Sequence, residues 1–162
     1  MEPGILQMGL VVFAALQTIY YYHKLPAMVA SHFGAGGGAD GWSSTSSFFF
    51  TYWIVIAVAL VVSLGIPALI GRLPRNMISL PNKEYWLSDE RYAQTLSHLR
   101  NHFRWFGVIL LLFLVFVFQM VFQANLSQRL ELGAWFIPAL VGFLIAVLVW
   151  VIRFTTKFSK IE

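Results

Sequence analysis

His32 and Asp40 lie in the stretch from Leu25 to Trp42, which also carries five glycines. An imidazole and a carboxylate brought together supply half of a metal site or an acid–base pair. Gly36, Gly37 and Gly38 permit the tight reversal that would fold the two residues back toward each other, and Asp40-Gly41 is itself a turn dipeptide. The plainer reading is structural: Asp40 caps its own turn, His32 meets a backbone carbonyl, and Trp42 anchors the loop at an interface. Two ligands alone do not complete a tetrahedral site. A second pair, His98 and His102, is spaced one helical turn apart and could hold a metal from one helix face, with a glutamate of the Glu84–Glu90 region as a third ligand. Leu99 follows the first histidine where H-E-x-x-H needs its base, so the plainer reading there is a solvated polar face. Gln17, Gln119 and Gln123 are amides inside apolar runs; with His32 and Asp40 they would line a small polar pocket, or else join helices. The chain contains no cysteine, so disulfides and thiolate chemistry are excluded. Walker, nucleophile-elbow and dinucleotide patterns are absent, and no cofactor is required.

What positions these groups follows from composition. Hydrophobic residues make up 59% and charged residues 11% of the 162 residues, too few polar groups to cover a water-facing surface. Four stretches without Asp, Glu, Lys or Arg, about 4–22, 48–70, 105–122 and 133–152, are each long enough to cross the hydrocarbon core as helices. One ionised group at mid-bilayer costs at least about 2.5 kcal/mol, which explains the gaps in charge. The expectation is an all-α membrane protein. It is a four-helix transmembrane bundle in a single integral domain, 1–162, with an outer Gly-rich loop at 23–47 and an inner segment at 71–104. The opening run is a poor signal peptide, lacking a basic leader and a cleavage site.

Charge gives the direction. Nine of the eleven basic residues fall in the 71–104 segment or after the fourth span, leaving Lys24 and Arg129 for the other side. The positive-inside rule then places both termini in the cytoplasm and the Gly-rich loop outside. Tyr20 to Tyr22, Tyr52, Trp53, Trp105, Trp135 and Trp150 fall near span ends, the level that amphipathic rings prefer. Pro67 is expected to kink the second span, whereas Pro138 sits in the first turns of the fourth. Ala59/Ser63 and Gly142/Ala146 have the small-residue spacing that lets helices approach closely.

The inner segment predicts an amphipathic helix. Ser88 reads as its N-cap with Asp89 and Glu90 in the first turn. Tyr92, Leu96, Leu99 and Phe103 form an apolar stripe, and Arg91, Thr95, His98 and His102 form another face. That helix lies at the interface or runs directly into the third span. Lys83, Arg91, Arg100 and Arg104 are placed to meet anionic headgroups, at about 1 kcal/mol each.

Leu25-Pro26, Val29, His32-Phe33, Gly37 and Asp40-Gly41-Trp42 resemble the LP-x-x-V-x-x-HF-x-x-x-G-x-x-DGW pattern of a bacterial membrane family, the domain of unknown function DUF1648. Gly34 and Thr45 depart from residues common in that pattern. Leu80 to Leu87 and Glu90-Arg91 also resemble small stand-alone members. The same domain opens SdpI-type immunity proteins, which confer resistance to a secreted peptide toxin and sequester a cytoplasmic repressor. The resemblance implies a bacterial inner-membrane location and, more weakly, an immunity or signalling role.

Three functional readings follow. The first is a non-enzymatic membrane protein binding an extracytoplasmic ligand or peptide through its outer loop. The second is an accessory subunit of a larger membrane complex, and the third a membrane-embedded metal site or metalloenzyme using His98 and His102, or His32 and Asp40. The expected partners are the lipid bilayer and a membrane-protein partner or a second copy of the chain. Nucleic acid is not expected, because the basic residues sit beside apolar runs.

Overall fold

The computed structural model describes residues 2–127 and 130–161; Arg129, counted above, lies outside them. Helix α1 spans Pro3–Tyr21 and leads into strands β1, Met28–Phe33, and β2, Ala39–Ser44. Helix α2 runs Thr45–Ile70, a short helix α3 covers Lys83–Trp86, α4 covers Tyr92–Leu126, and α5 covers Phe136–Ser159. The four long helices are each long and apolar enough to cross a membrane, so the protein is a multi-pass membrane protein.

Helix boundaries follow local chemistry. Pro3 occupies the first turn of α1, where its missing N–H costs no ladder bond. Ser44 caps α2 by accepting from the Ser47 amide at 3.2 Å, so this helix begins ahead of the apolar run that starts at Phe48. Its middle widens into a π-helical turn at Val61–Gly65. Pro67 cannot donate to the Ser63 carbonyl, and the ladder readjusts just before it. Pro138 falls in the first turn of α5, where it is tolerated. Helix α4 has 35 residues and rises about 52 Å, well beyond a roughly 30 Å hydrocarbon core. The expected amphipathic helix and the third span are therefore one continuous element.

Ser88 does not cap that helix. Its backbone carbonyl accepts from Tyr92 at 2.9 Å, but its hydroxyl is buried without a partner and α4 starts with Tyr92. A turn at Ser88–Arg91 takes up the chain where the first turn of the helix was expected, and a four-residue helix, α3, precedes it. Thr95 and His102, read as part of a solvated face, turn inward instead. Thr95 is fully buried and donates to the Trp86 carbonyl at 2.7 Å, and His102 stacks on Trp150 with centroids 4.5 Å apart.

The main core joins α1, α2, α4 and β1. Phe122 sits at its centre, stacked on Tyr21 at 4.6 Å and on Phe49 at 5.5 Å, while Tyr52 stacks on Phe118 at 4.2 Å. Tyr52, expected at the interface, is fully buried. Lipid tails are as apolar as these side chains, so van der Waals fit and hydrogen bonds hold the helices together. Gly107 of α4 shows such fit: a Cβ there would overlap Gln7 of α1 and Ser63 of α2. Buried Gln7 also donates to the Arg104 carbonyl at 2.8 Å. Gly142 behaves oppositely. An added Cβ would meet nothing within 4 Å, so the Gly142/Ala146 pair lines a gap and does not clasp a neighbouring helix.

Helix α5 packs along α4 through Phe113 and Phe143, stacked at 4.2 Å, and through Trp150, whose indole donates to the His102 carbonyl at 2.9 Å. A smaller cluster of Trp86, Leu99 and Phe158 ties its end to the 71–104 segment. There Trp86 donates to the Phe158 carbonyl at 2.9 Å and Asn82 to the Ser159 carbonyl at 3.0 Å, satisfying carbonyls that a helix end leaves open.

Candidate functional site

The Gly-rich loop is an ordered antiparallel hairpin. Met28 pairs with Ser44, Val29 with Ser43, Ala30 with Trp42, His32 with Gly41 and Phe33 with Ala39. The register slips on either side of His32, leaving Ser31 and Asp40 as the extra residues. Such bulges re-aim side chains. Here the consequence is that the His32 Nδ1 and Asp40 Oδ1 atoms meet in a direct, short contact. Asp40 therefore pairs with His32, where turn-capping had been the plainer expectation. Both side chains stay open to solvent, at 73% and 52% exposure.

Two glycines make this possible. Gly37 adopts φ of 81° at the tip, a conformation that disfavours side chains. Gly41 lies across from His32, and a Cβ there would come within 2.8 Å of the His32 Cβ. Trp42, beside it, is half exposed.

The hairpin is braced from two sides. Asn125, in the last turn of α4, accepts from the Ala30 amide at 2.7 Å and donates to the Ala30 carbonyl at 2.9 Å. Its carboxamide thus occupies the open edge of β1 as a neighbouring strand's peptide group would. At the tip, Ala39 donates to the Leu130 carbonyl at 3.1 Å and Leu132 to the Gly37 carbonyl at 2.9 Å. Thr45 also donates from its hydroxyl to the Pro26 carbonyl, closing the base.

Beneath the hairpin runs a chain of polar groups. Tyr52 donates its hydroxyl to Gln17 Oε1 at 2.6 Å, Gln17 Nε2 donates to Gln119 Oε1 at 2.8 Å, and Gln119 Nε2 donates to the Tyr21 hydroxyl at 2.7 Å. Gln17 is 3% exposed and its amide is used up within the protein, Nε2 donating also to the Val115 carbonyl at 3.3 Å. The two glutamines are thus interhelical ties. Gln123, expected on the same inward face, is exposed. Four residues advance an α-helix about 40° past a full turn, and at this level Phe122 and Asn125 occupy the inward side. The five residues do not line one pocket: His32 and Asp40 sit on the hairpin and Gln17 inside the bundle, whereas Gln119 and Gln123 line a cavity beside Glu131 and Trp135.

At the opposite end, His98 is exposed while His102 is held against Trp150 and Phe154, and both line one cavity between α4 and α5. Among the described residues no three His, Asp or Glu side chains converge as a metal site. Arg91 lies over the Tyr85 ring at 4.1 Å, Lys83 opens α3, and Arg100 and Arg104 line a polar cleft with Glu2 and Trp105.

Asn125, Gln7 and Gly107 were not singled out from the sequence, and Tyr21 and Tyr52 were read only as rings at span ends. The legible signal is an amide inside or ending an apolar run, which applies to Gln7 and Asn125 as well as to the glutamines identified.

No curated protein and no solved structure matches the chain. Residues 9–58, which comprise most of α1, the whole hairpin and the first part of α2, match the family model described as Domain of unknown function (DUF1648), so the family resemblance seen in Leu25–Trp42 extends over the hairpin and its two flanking spans.

Proposed function

We propose that this is a non-enzymatic binding protein of the bacterial inner membrane, with the hairpin as its extracytoplasmic recognition element and a secreted peptide as the favoured ligand class. One observation carries the reading. The hairpin backbone is fixed by Asn125 and by the 130–132 segment, yet His32, Asp40 and Trp42 project outward. A mere connection between helices needs neither the bracing nor those side chains. Ordered display of polar and aromatic groups lowers the entropic cost of binding. The resemblance to immunity proteins supports an immunity or signalling role for such capture.

The test is a photo-crosslinking amino acid at position 42, activated in intact cells, with captured species identified by mass spectrometry. A discrete extracytoplasmic peptide, lost in the His32→Ala/Asp40→Ala variant although that variant inserts normally, is the expected result. Capture no greater than from a probe at position 97, or capture indifferent to the double substitution, removes the reading.

A further inference from the structure

Two cavities of different chemistry lie along the cleft between α4 and α5, with Trp150 packed against His102 and Phe106 between them. At one end a cavity of about 400 Å³ is lined by His98, Asn101, His102, Arg153 and Lys157, among others, with no carboxylate. At the other a cavity of about 400 Å³ is lined by Phe113, Phe116, Ala139, Gly142, Phe143 and Ala146, among others, and is almost wholly apolar. Helical geometry sets both on the same pair of helix faces, one above the other. Along α4 the lining residues 98, 101, 102, 105, 109, 112, 113 and 116 advance by steps of one, three or four, which is one face of a helix. Along α5, residues 139, 142, 143 and 146 lead through Trp150 to 153, 154 and 157 on the same face. Trp150 and Trp105 stand between the two chemistries.

We propose that this groove binds an anionic glycerophospholipid, its phosphate between Arg153, Lys157 and the histidines and one acyl chain along Phe113, Phe116 and Gly142. Charge and length both point to that occupant. Among the described residues the cavity at the cationic end is lined by donors and by no acid, and His102 Nε2 is buried without a hydrogen-bond partner. Arg153 makes no ion pair among the described residues. From Asn101 to Phe113 the helix rises about 18 Å, close to the roughly 15 Å depth of one leaflet of the hydrocarbon core. Gly142 keeps the apolar half open, since a side chain there would point into empty space. A second copy of the chain or a foreign helix would meet the apolar half equally well but would bring no phosphate to Arg153.

Native mass spectrometry of the full chain in neutral detergent, titrated with phosphatidylglycerol or phosphatidylcholine of identical chains, tests this. Phosphatidylglycerol should bind at least about tenfold more tightly, and Arg153→Gln/Lys157→Gln should remove that preference. Gly142→Phe should weaken both lipids by filling the groove; the thermal midpoint in detergent reports whether it folds, and Ala146→Phe serves if it does not. Glycerol phosphate and inorganic phosphate should not compete at equal concentration, which separates a lipid site from a free-phosphate site. Equal affinity for the two lipids, competition by inorganic phosphate, insensitivity to all the substitutions, or a dimer occupying the groove would each overturn the proposal.

Discussion

The Asn125 carboxamide grips the Ala30 peptide group in both directions, at 2.7 and 2.9 Å, across 95 residues of sequence. It also donates to the Val121 carbonyl one turn back, at 3.0 Å, which fixes its orientation on α4. Both amide hydrogens are thus used, one on the hairpin and one on its own helix. Asn125→Ala should cost about 2 kcal/mol, two net hydrogen bonds at about 1 kcal/mol each. The loss should be local, appearing as faster amide hydrogen exchange at Ala30 and its strand neighbours while exchange in α2 is unchanged.

Two glycines in neighbouring helices should respond oppositely to the same methyl group. Gly107→Ala drives a Cβ into Gln7 and Ser63 and should destabilise by about 1–3 kcal/mol through overpacking. Gly142→Ala enters open space and should be neutral or stabilise by up to about 1 kcal/mol through helix propensity. Thermal unfolding of the two variants in one detergent compares them directly.

The polar chain from Tyr52 to Tyr21 makes a third prediction. Gln17→Leu leaves the buried Tyr52 hydroxyl and one side of Gln119 without partners. It should destabilise the bundle by about 1–2 kcal/mol. Tyr52→Phe in that background should then cost little, because its partner is already gone. A double-mutant cycle read by thermal denaturation shows the coupling, and additive losses would mean that these residues act separately.

The spans were legible because charge is excluded from hydrocarbon, a rule that acts on residue type alone. Ends were less so: α2 starts early because Ser44 caps it, and α4 starts at Tyr92 because Ser88 turns its hydroxyl inward. The meeting of His32 with Asp40 was foreseeable from the glycines between them. The bulged register that aims them at each other depends on pairing across strands, which no local pattern records. Gln17 and Gln119 were recognisable as inward amides, yet Gln123 was not separable from Gln119 by spacing. Which way a helix face points depends on neighbours such as Phe122 that are distant in sequence. Asn125 was missed for a related reason. Its role exists only once β1 presents an open edge beside α4.

The absence of cysteine allows a direct test of the topology on which the functional reading rests. Single substitutions Ser31→Cys, on the exposed part of the hairpin, and Ser97→Cys, near the start of α4, each give one thiol in an otherwise thiol-free chain. In intact cells a membrane-impermeant maleimide should label position 31 and spare position 97 until the membrane is opened. Labelling of position 97 in intact cells while position 31 stays protected would place the hairpin inside the cell and contradict the account.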